Sequence, residues 1–215
     1  MVLIAEALAA AGGLEAIELP EIARRAGVSY GVARQLFPDR QRLLTEMAVA
    51  GFRLLAQALA DGVASGGTDV GARYRGEGEG YVRFALTHPG LFRVMFRVDL
   101  LDNMNEALME GRRAAYAVLI GIIREVAGVS RDGPLDPALN GTAMGAWSLV
   151  HGFAHLALDG TVDRFSQPRP PGHFPSAMLA EVLKALPLPP NVRVGGAGPV
   201  RPEPPPRVRR GPRSD

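Results

Sequence analysis

Residues 18–44 read ELPEIARRAGVSYGVARQLFPDRQRLL, and this stretch decides the fold. Its apolar spacing predicts two short helices joined by a tight turn. In the first, Leu19, Ile22, Ala23 and Ala26 form one stripe, with Pro20 tolerated in the opening turn. Gly27 can take the left-handed conformation that ends a helix, and Ser29 is a good N-cap for the next one. In the second helix Val32, Ala33, Leu36 and Phe37 are expected to be buried, while Tyr30, Gly31, Arg34 and Gln35 face outward near its start. Pro38 and Asp39 stop it, and Asp39 is placed to cap a third helix from Arg40. A helix, a Gly-containing turn and a second helix with polar N-terminal residues make a helix-turn-helix.

That design has a chemistry. Its second helix fits the major groove, about 12 Å wide, where Arg can bond guanine and Gln adenine. Backbone N–H groups at the helix start, with Ser29 and Tyr30, can meet phosphate oxygens. Residues 21–42 hold five arginines (24, 25, 34, 40 and 42) against Glu21 and Asp39, a local surplus of three. The alternative reading is an amphipathic hairpin whose arginines only solvate its outer face.

Working outward, the 215 residues carry 24 basic and 22 acidic groups and no cysteine. Lack of cysteine excludes disulfides, thiolate metal sites and cysteine nucleophiles, and fits a cytoplasmic protein. The length supports a sizeable core. The pI of about 9.4 misleads. Six arginines (193, 201, 207, 209, 210, 213) stand against Glu203 and Asp215 in residues 187–215, so the preceding 186 residues have 18 basic and 20 acidic groups. Nine of 18 prolines also fall in 187–215, which reads as a disordered tail.

Between motif and tail the pattern is helical. Asn105–Ala127 places Leu108, Gly111, Ala115, Val118, Ile122 and Val126 on one stripe, with Gly128 as C-cap. Loops are expected at 62–72, 128–141 and 159–175. Phe92–Leu100 alternates like a strand but also has helical spacing; helix is preferred, because a lone strand has no pairing partner. Glycines at 76, 78 and 80 each weaken a helix by about 1 kcal/mol, and nothing in the sequence explains them. Residues 138–158 lack Asp, Glu, Lys and Arg. Polar residues within them and acidic flanks argue against membrane insertion, so this helix is expected to be buried by its own core and by a partner subunit.

The segment 22–44 resembles the N-terminal DNA-binding domain of TetR-type transcriptional regulators, through Ala23, Ala26, Gly27, Val28, Ser29, Gly31, Phe37, Arg40 and Leu43. Ile4–Gly13 is similar to the preceding first helix, although Ala9 and Ala10 replace its usual bulky aromatic. GYVRFALTHPGLFRVMF (80–96) and AWSLVHGFAHLALDG (146–160) resemble a TetR-type C-terminal domain with a W-x-x-x-H-G signature at Trp147, His151 and Gly152. The resemblance implies an all-α protein acting as a homodimer on a double-stranded DNA operator. Ser29, Tyr30, Gly31, Val32, Arg34 and Gln35 would lie at DNA, with Arg40 at phosphate. Val32, residues 34–36 and Glu18 depart from the family pattern, which bears on operator sequence rather than fold.

The expected organisation is a helix-turn-helix domain over 1–48 (motif about 18–37), a helical ligand-binding and dimerisation domain over 49–186, and the tail. Apolar bulk with sparse polar groups nominates Phe84, Leu91, Phe92, Met95, Phe96, Met104, Leu108, Tyr116, Trp147 and His151 for a hydrophobic or amphipathic small-molecule effector. His151 and His155 have metal-binding spacing, but the glutamate of a zinc-protease motif is missing. His151 is expected to be hydrogen-bonded in core or pocket, and His155 to face the dimer seam. There is no G-x-S-x-G elbow and no phosphate-binding loop. The reading is therefore a cytoplasmic regulator, most simply a repressor, that needs no catalysis, metal, cofactor or membrane. The alternative is a helical small-molecule-binding protein or enzyme without operator binding.

Overall fold

A computed structural model describes residues 1–130, 133, 136–165 and 175–189. Every regular element among them is helical: α1 (Val2–Gly12), a 3-10 turn (Leu14–Ala16), α2 (Leu19–Ala26), α3 (Tyr30–Leu36), α4 (Arg40–Ser65), α5 (Val70–Thr87), α6 (Pro89–Met95), α7 (Glu106–Ala127), α8 (Pro137–Leu158), α9 (Thr161–Phe165) and α10 (Ser176–Leu183). The fold is all-α, with an N-terminal helix-turn-helix followed by a larger helical body.

Local chemistry sets the helix ends. Asp39 Oδ1 accepts from the Arg42 N–H at 2.7 Å, opening α4. Asn105 Oδ1 does the same for Leu108 at 3.0 Å, opening α7, and Gly128 closes that helix at φ 65°. Each cap satisfies a backbone donor or acceptor that a helix end leaves unpaired. Burial on α7 follows Leu108, Gly111, Ala115, Leu119, Ile122 and Ile123, so the stripe drifts from the expected Val118 and Val126, which are only half-buried.

The central pair is α4 and α5. Helix α4 buries Leu43, Leu44, Met47, Phe52, Leu55 and Leu59; it is long and apolar enough to cross a membrane, but most of that apolar length lies inside this core. Helix α5 runs unbroken through Gly76, Gly78 and Gly80, and packing supplies the reason that the sequence withholds. A Cβ on Gly76 would stand 2.2 Å from the Gly62 carbonyl oxygen, and one on Gly80 would stand 2.3 Å from that of Ala58. On the other side of α5, a Cβ on Gly78 would meet Leu183 of α10 at 2.6 Å. The glycines let two backbones touch, and contact along the crossing offsets their helix cost.

Several expectations need correction. The loop at 62–72 shrinks to residues 66–69, because α4 continues to Ser65 and Asp69 caps α5 through the Ala72 N–H. Phe92–Leu100 is neither all helix nor strand: α6 ends at Met95, and turns follow in which the Arg97 and Leu100 N–H groups bond the Val94 and Arg97 carbonyls at 3.0 and 2.9 Å. The loop expected at 128–141 ends where α8 begins at Pro137, and α9 occupies part of 159–175. Pro187 and Pro189 still lie on the body, with the Tyr74 hydroxyl donating to the Pro187 carbonyl at 2.8 Å. The expected disorder over 190–215 lies outside the described residues.

Candidate nucleic-acid interface and ligand cavity

The helix-turn-helix forms as its residues dictate. Gly27 ends α2 in the left-handed region (φ 68°), and Ser29 Oγ accepts from the Val32 N–H at 3.3 Å to open α3. Helix α3 spans seven residues and rests on α2 through Ala33, with Phe37 buried just beyond. That anchor is a single i, i+4 stripe, too narrow to include its neighbours. Val32 is therefore 45% exposed and Leu36 58% exposed, against the expectation that both turn inward. Tyr30, Gly31, Arg34 and Gln35 share the exposed face, as anticipated.

The arginines divide into two groups. Glu21 accepts from Arg24 Nε at 2.8 Å and from Arg25 Nε at 2.6 Å, and the two guanidiniums hold its carboxyl down at about 2. Arg42 pairs with Glu46 at 2.9 Å. Arg34 and Arg40 make no such carboxylate pair among the described residues. With Tyr30 they line one shallow cleft between α2, α3 and α4. Arg24 and Arg25 share one carboxylate, and the two guanidiniums without a carboxylate partner among the described residues of the motif are those of Arg34 and Arg40. Arg40 is also a tether: its Nη2 donates to the Leu14 carbonyl at 2.8 Å, joining α4 to the turn after α1.

In the body, α4, α5, α7 and α8 enclose a cavity of about 520 Å³, whose wall includes the end of α6. Of the nominated residues, Met95, Phe96, Tyr116, Trp147 and His151 line it. The other five do not. Phe84, Leu91, Phe92 and Leu108 are core residues, and Met104 is 79% exposed in the loop before α7. Sequence reasoning missed Glu77, Tyr81, Arg112, Ser148 and the aliphatic wall of Leu55, Leu59 and Leu119. A signal for Glu77 does exist: it occupies the buried face of α5 together with Tyr74, Gly78, Tyr81 and Phe84.

Trp147, Tyr81 and His151 form a hydrogen-bonded row. Trp147 Nε1 donates to the Tyr81 hydroxyl at 3.1 Å, and that hydroxyl lies 2.7 Å from His151 Nδ1. Burial foremost, and the neighbouring His155 second, hold the His151 imidazole down at about 4, so it is neutral at pH 7. Because indole only donates, the Tyr81 proton is available for Nδ1, which places the ring proton on Nε2. The Trp and His of the W-x-x-x-H-G signature are thus tied together through a tyrosine 66 residues upstream of Trp147. His155 is exposed, with its ring 4.6 Å from that of His151. No cluster of three or more His, Asp or Glu suited to a metal occurs among the described residues.

Helix α6 links the two regions. At its start a Cβ on Gly90 would stand 2.2 Å from the Glu6 carbonyl oxygen of α1, and His88 Nδ1 lies 2.8 Å from Glu6 Oε1. Arg93 Nη1 donates to the Ala9 and Ala10 carbonyls, each at 3.1 Å. Ala9, where a bulky side chain is usual, is fully buried; a small residue there suits this close approach. Met95, the last residue of α6, and Phe96 just beyond it stand in the cavity wall.

A helix-turn-helix joined by one short helix to an apolar cavity defines a class: DNA-binding regulators that respond to small molecules. The comparisons name the family. Residues 74–182 match the model of the tetracyclin repressor-like C-terminal domain. A structure of a protein with unknown function from Rhodococcus sp. RHA1 is similar at 28% identity and a TM-score of 0.66, over 86% of this chain and 92% of that one. The TetR family transcriptional regulator PfmR from Thermus thermophilus shares the fold at 18% identity and a TM-score of 0.60, over 86% of this chain and 97% of its own. No protein of curated function matches. The chain belongs to the TetR family and is a ligand-responsive transcriptional regulator. That family is regulatory rather than enzymatic.

Proposed function

We propose that this regulator is a cytoplasmic repressor that binds a palindromic operator as a homodimer and is released by a hydrophobic or amphipathic small molecule. The observation that carries this reading is the course of α6, which packs on α1 from Gly90 to Arg93 and then delivers Met95 and Phe96 to the cavity wall. A ligand that displaces Met95 and Phe96 moves the element on which the DNA-binding domain rests. Helix α4 gives a second route, since Phe52, Leu55 and Leu59 line the cavity and Asp39 and Arg40 begin the same helix beside α3. Effector and operator are then coupled because each favours a different placement of α1 and α4.

At DNA, Ser29, Tyr30 and Gly31 set the helix start against phosphate, Arg34 and Gln35 read base edges, and Arg40 meets the backbone. Exposed Val32 supplies an apolar surface for a thymine methyl group. Two copies joined through the C-terminal helices would place their α3 helices about 34 Å apart, one turn of duplex. The dimer seam is supported by α8, which leaves Met144 and Leu156 exposed with His155 on a helix otherwise rich in small and apolar residues. No catalytic step is required.

Binding to DNA from upstream of the protein's own gene, measured by electrophoretic shift across a salt series, tests the reading. Specific binding that weakens steeply with salt is expected. No preference for any palindrome at low salt would overturn it and leave the ligand-binding body as the functional part.

A further inference from the structure

Glu77 is 3% exposed, lines the cavity, and has no hydrogen-bond or ion-pair partner among the described residues. Folded proteins rarely leave a buried carboxyl in that state. Desolvation pushes its pKa up to about 8, so the neutral acid predominates at pH 7. The rings of Phe52, Tyr81, Phe96 and Trp147 line the same space. The other charged group of the wall, Arg112, is partly engaged: Nη1 donates to Asn103 Oδ1 at 3.0 Å and the guanidinium lies 5.7 Å from the Phe52 ring centroid, while Nη2 is buried without a hydrogen-bond partner among the described residues. Glu77 and Arg112 make no ion pair.

We propose that Glu77 is the counter-ion for a cationic effector, a hydrophobic amine or quaternary ammonium whose apolar part lies against the aromatic wall. The inference rests on the ligand-responsive reading and names the ligand class. A free amine that enters takes the Glu77 proton onto its nitrogen; a quaternary ammonium binds as Glu77 releases that proton to water. Either way a carboxylate and an ammonium face each other, and the buried acid gains the partner it lacks. Aromatic faces add cation–π attraction. A volume of about 520 Å³ lies within the range for small-molecule sites. An anionic amphipath would place its head at Arg112 and leave Glu77 unpaired.

Trp147 is the single tryptophan and lies in the cavity wall, so its emission reports occupancy. The full-length protein is titrated with decyltrimethylammonium, decanol and decanoate below their micellar concentrations. The cation is expected to bind at least about tenfold more tightly than decanol, a difference of about 1.4 kcal/mol. Glu77→Gln should bring the cation-to-alcohol ratio to within about twofold of unity, and Glu77→Asp should retain part of the preference. Circular dichroism checks that both variants fold. Tighter binding of decanoate, or a cation preference that survives Glu77→Gln, would overturn the assignment. Saturable binding of all three without discrimination would overturn the Glu77 role but leave a ligand cavity. Absence of binding by all three would overturn the cavity reading as well. Operator binding is measured separately and does not enter this outcome.

Discussion

Replacing Glu77 by Gln should make the folded protein more stable at neutral and alkaline pH, by an amount that depends on pH in a defined way. Burial raises the Glu77 pKa from 4.5 to about 8 in the folded state. A raised pKa in the folded state means that the native protein binds the proton more tightly than the unfolded chain does. The contribution of this group is fully present below pH 4.5, where both states are protonated. It is lost as pH rises toward 8, at about 1.4 kcal/mol per pH unit, and then levels off. The full difference of 3.5 units corresponds to roughly 5 kcal/mol, of which about 3 kcal/mol has been lost by pH 7. Glutamine does not titrate, so the stability of the variant relative to the native protein should climb with that slope. Urea unfolding of both proteins at pH 5, 6, 7, 8 and 9 and one fixed protein concentration measures it. His151 acts in the opposite sense. Its depressed pKa gives stability above about 6.5 that is lost as pH falls toward about 4, but it is common to both proteins and cancels in the difference. A difference that stays flat from pH 5 to 9 would refute the reasoning, since it would mean that the Glu77 carboxylate is paired or hydrated in the folded protein.

Five further substitutions have expected outcomes. Arg34→Ala should relax base preference in a panel of single-base operator variants by about 1–3 kcal/mol at one position. Arg40→Ala should instead weaken all sequences similarly, and should also lower thermal stability through loss of its bond to the Leu14 carbonyl. Val32→Ala should reduce discrimination between thymine and uracil at the contacted position, measured by fluorescence anisotropy; an unchanged ratio would remove Val32 from the interface. Gly76→Ala should destabilise the protein by about 1–3 kcal/mol in a thermal melt, because the added methyl meets the Gly62 carbonyl oxygen at 2.2 Å. Gly121→Ala, where a Cβ meets nothing within 4 Å on a helix, should be neutral or stabilising.

What the sequence makes legible is mostly local. Gly27, Ser29, Asp39, Asn105 and Gly128 mark helix ends by chemistry that acts over three or four residues, and each marks an end in the structure. The burial of Val32 and Leu36 is misread when apolar type is equated with an inward position, since a seven-residue helix anchored by Ala33 and Phe37 has no room to bury both. The cavity is half legible. Residues near the W-x-x-x-H-G signature belong to it, but apolar bulk does not distinguish a cavity wall from core, so Phe84, Leu91, Phe92 and Leu108 look the same as Phe96 in sequence. Glu77 and Arg112 escape notice for the converse reason: a charged residue on a helix reads as solvated until its neighbours from other helices are known. Gly76, Gly78 and Gly80 have no local explanation because their causes lie on other helices: α4 carbonyls for Gly76 and Gly80, 14 and 22 residues away, and Leu183 of α10 for Gly78.

The crossing of α4 and α5 also has a mechanical side. The backbones of α4 and α5 meet at Gly62 and Gly76 and again at Ala58 and Gly80, with no flexible side chain between them to absorb a sideways shift, and a lever arm extends from Gly62 taken as the pivot. On α4, Phe52 stands ten residues from it, about 15 Å along the axis, and Arg40 stands 22 residues away, about 33 Å. A rotation of α4 about this point therefore moves its start roughly twice as far as it moves the cavity wall. A nudge of about 1 Å at Phe52 would become a swing of about 2 Å where α4 meets the reading head, a leverage set by two residues that carry no side chain.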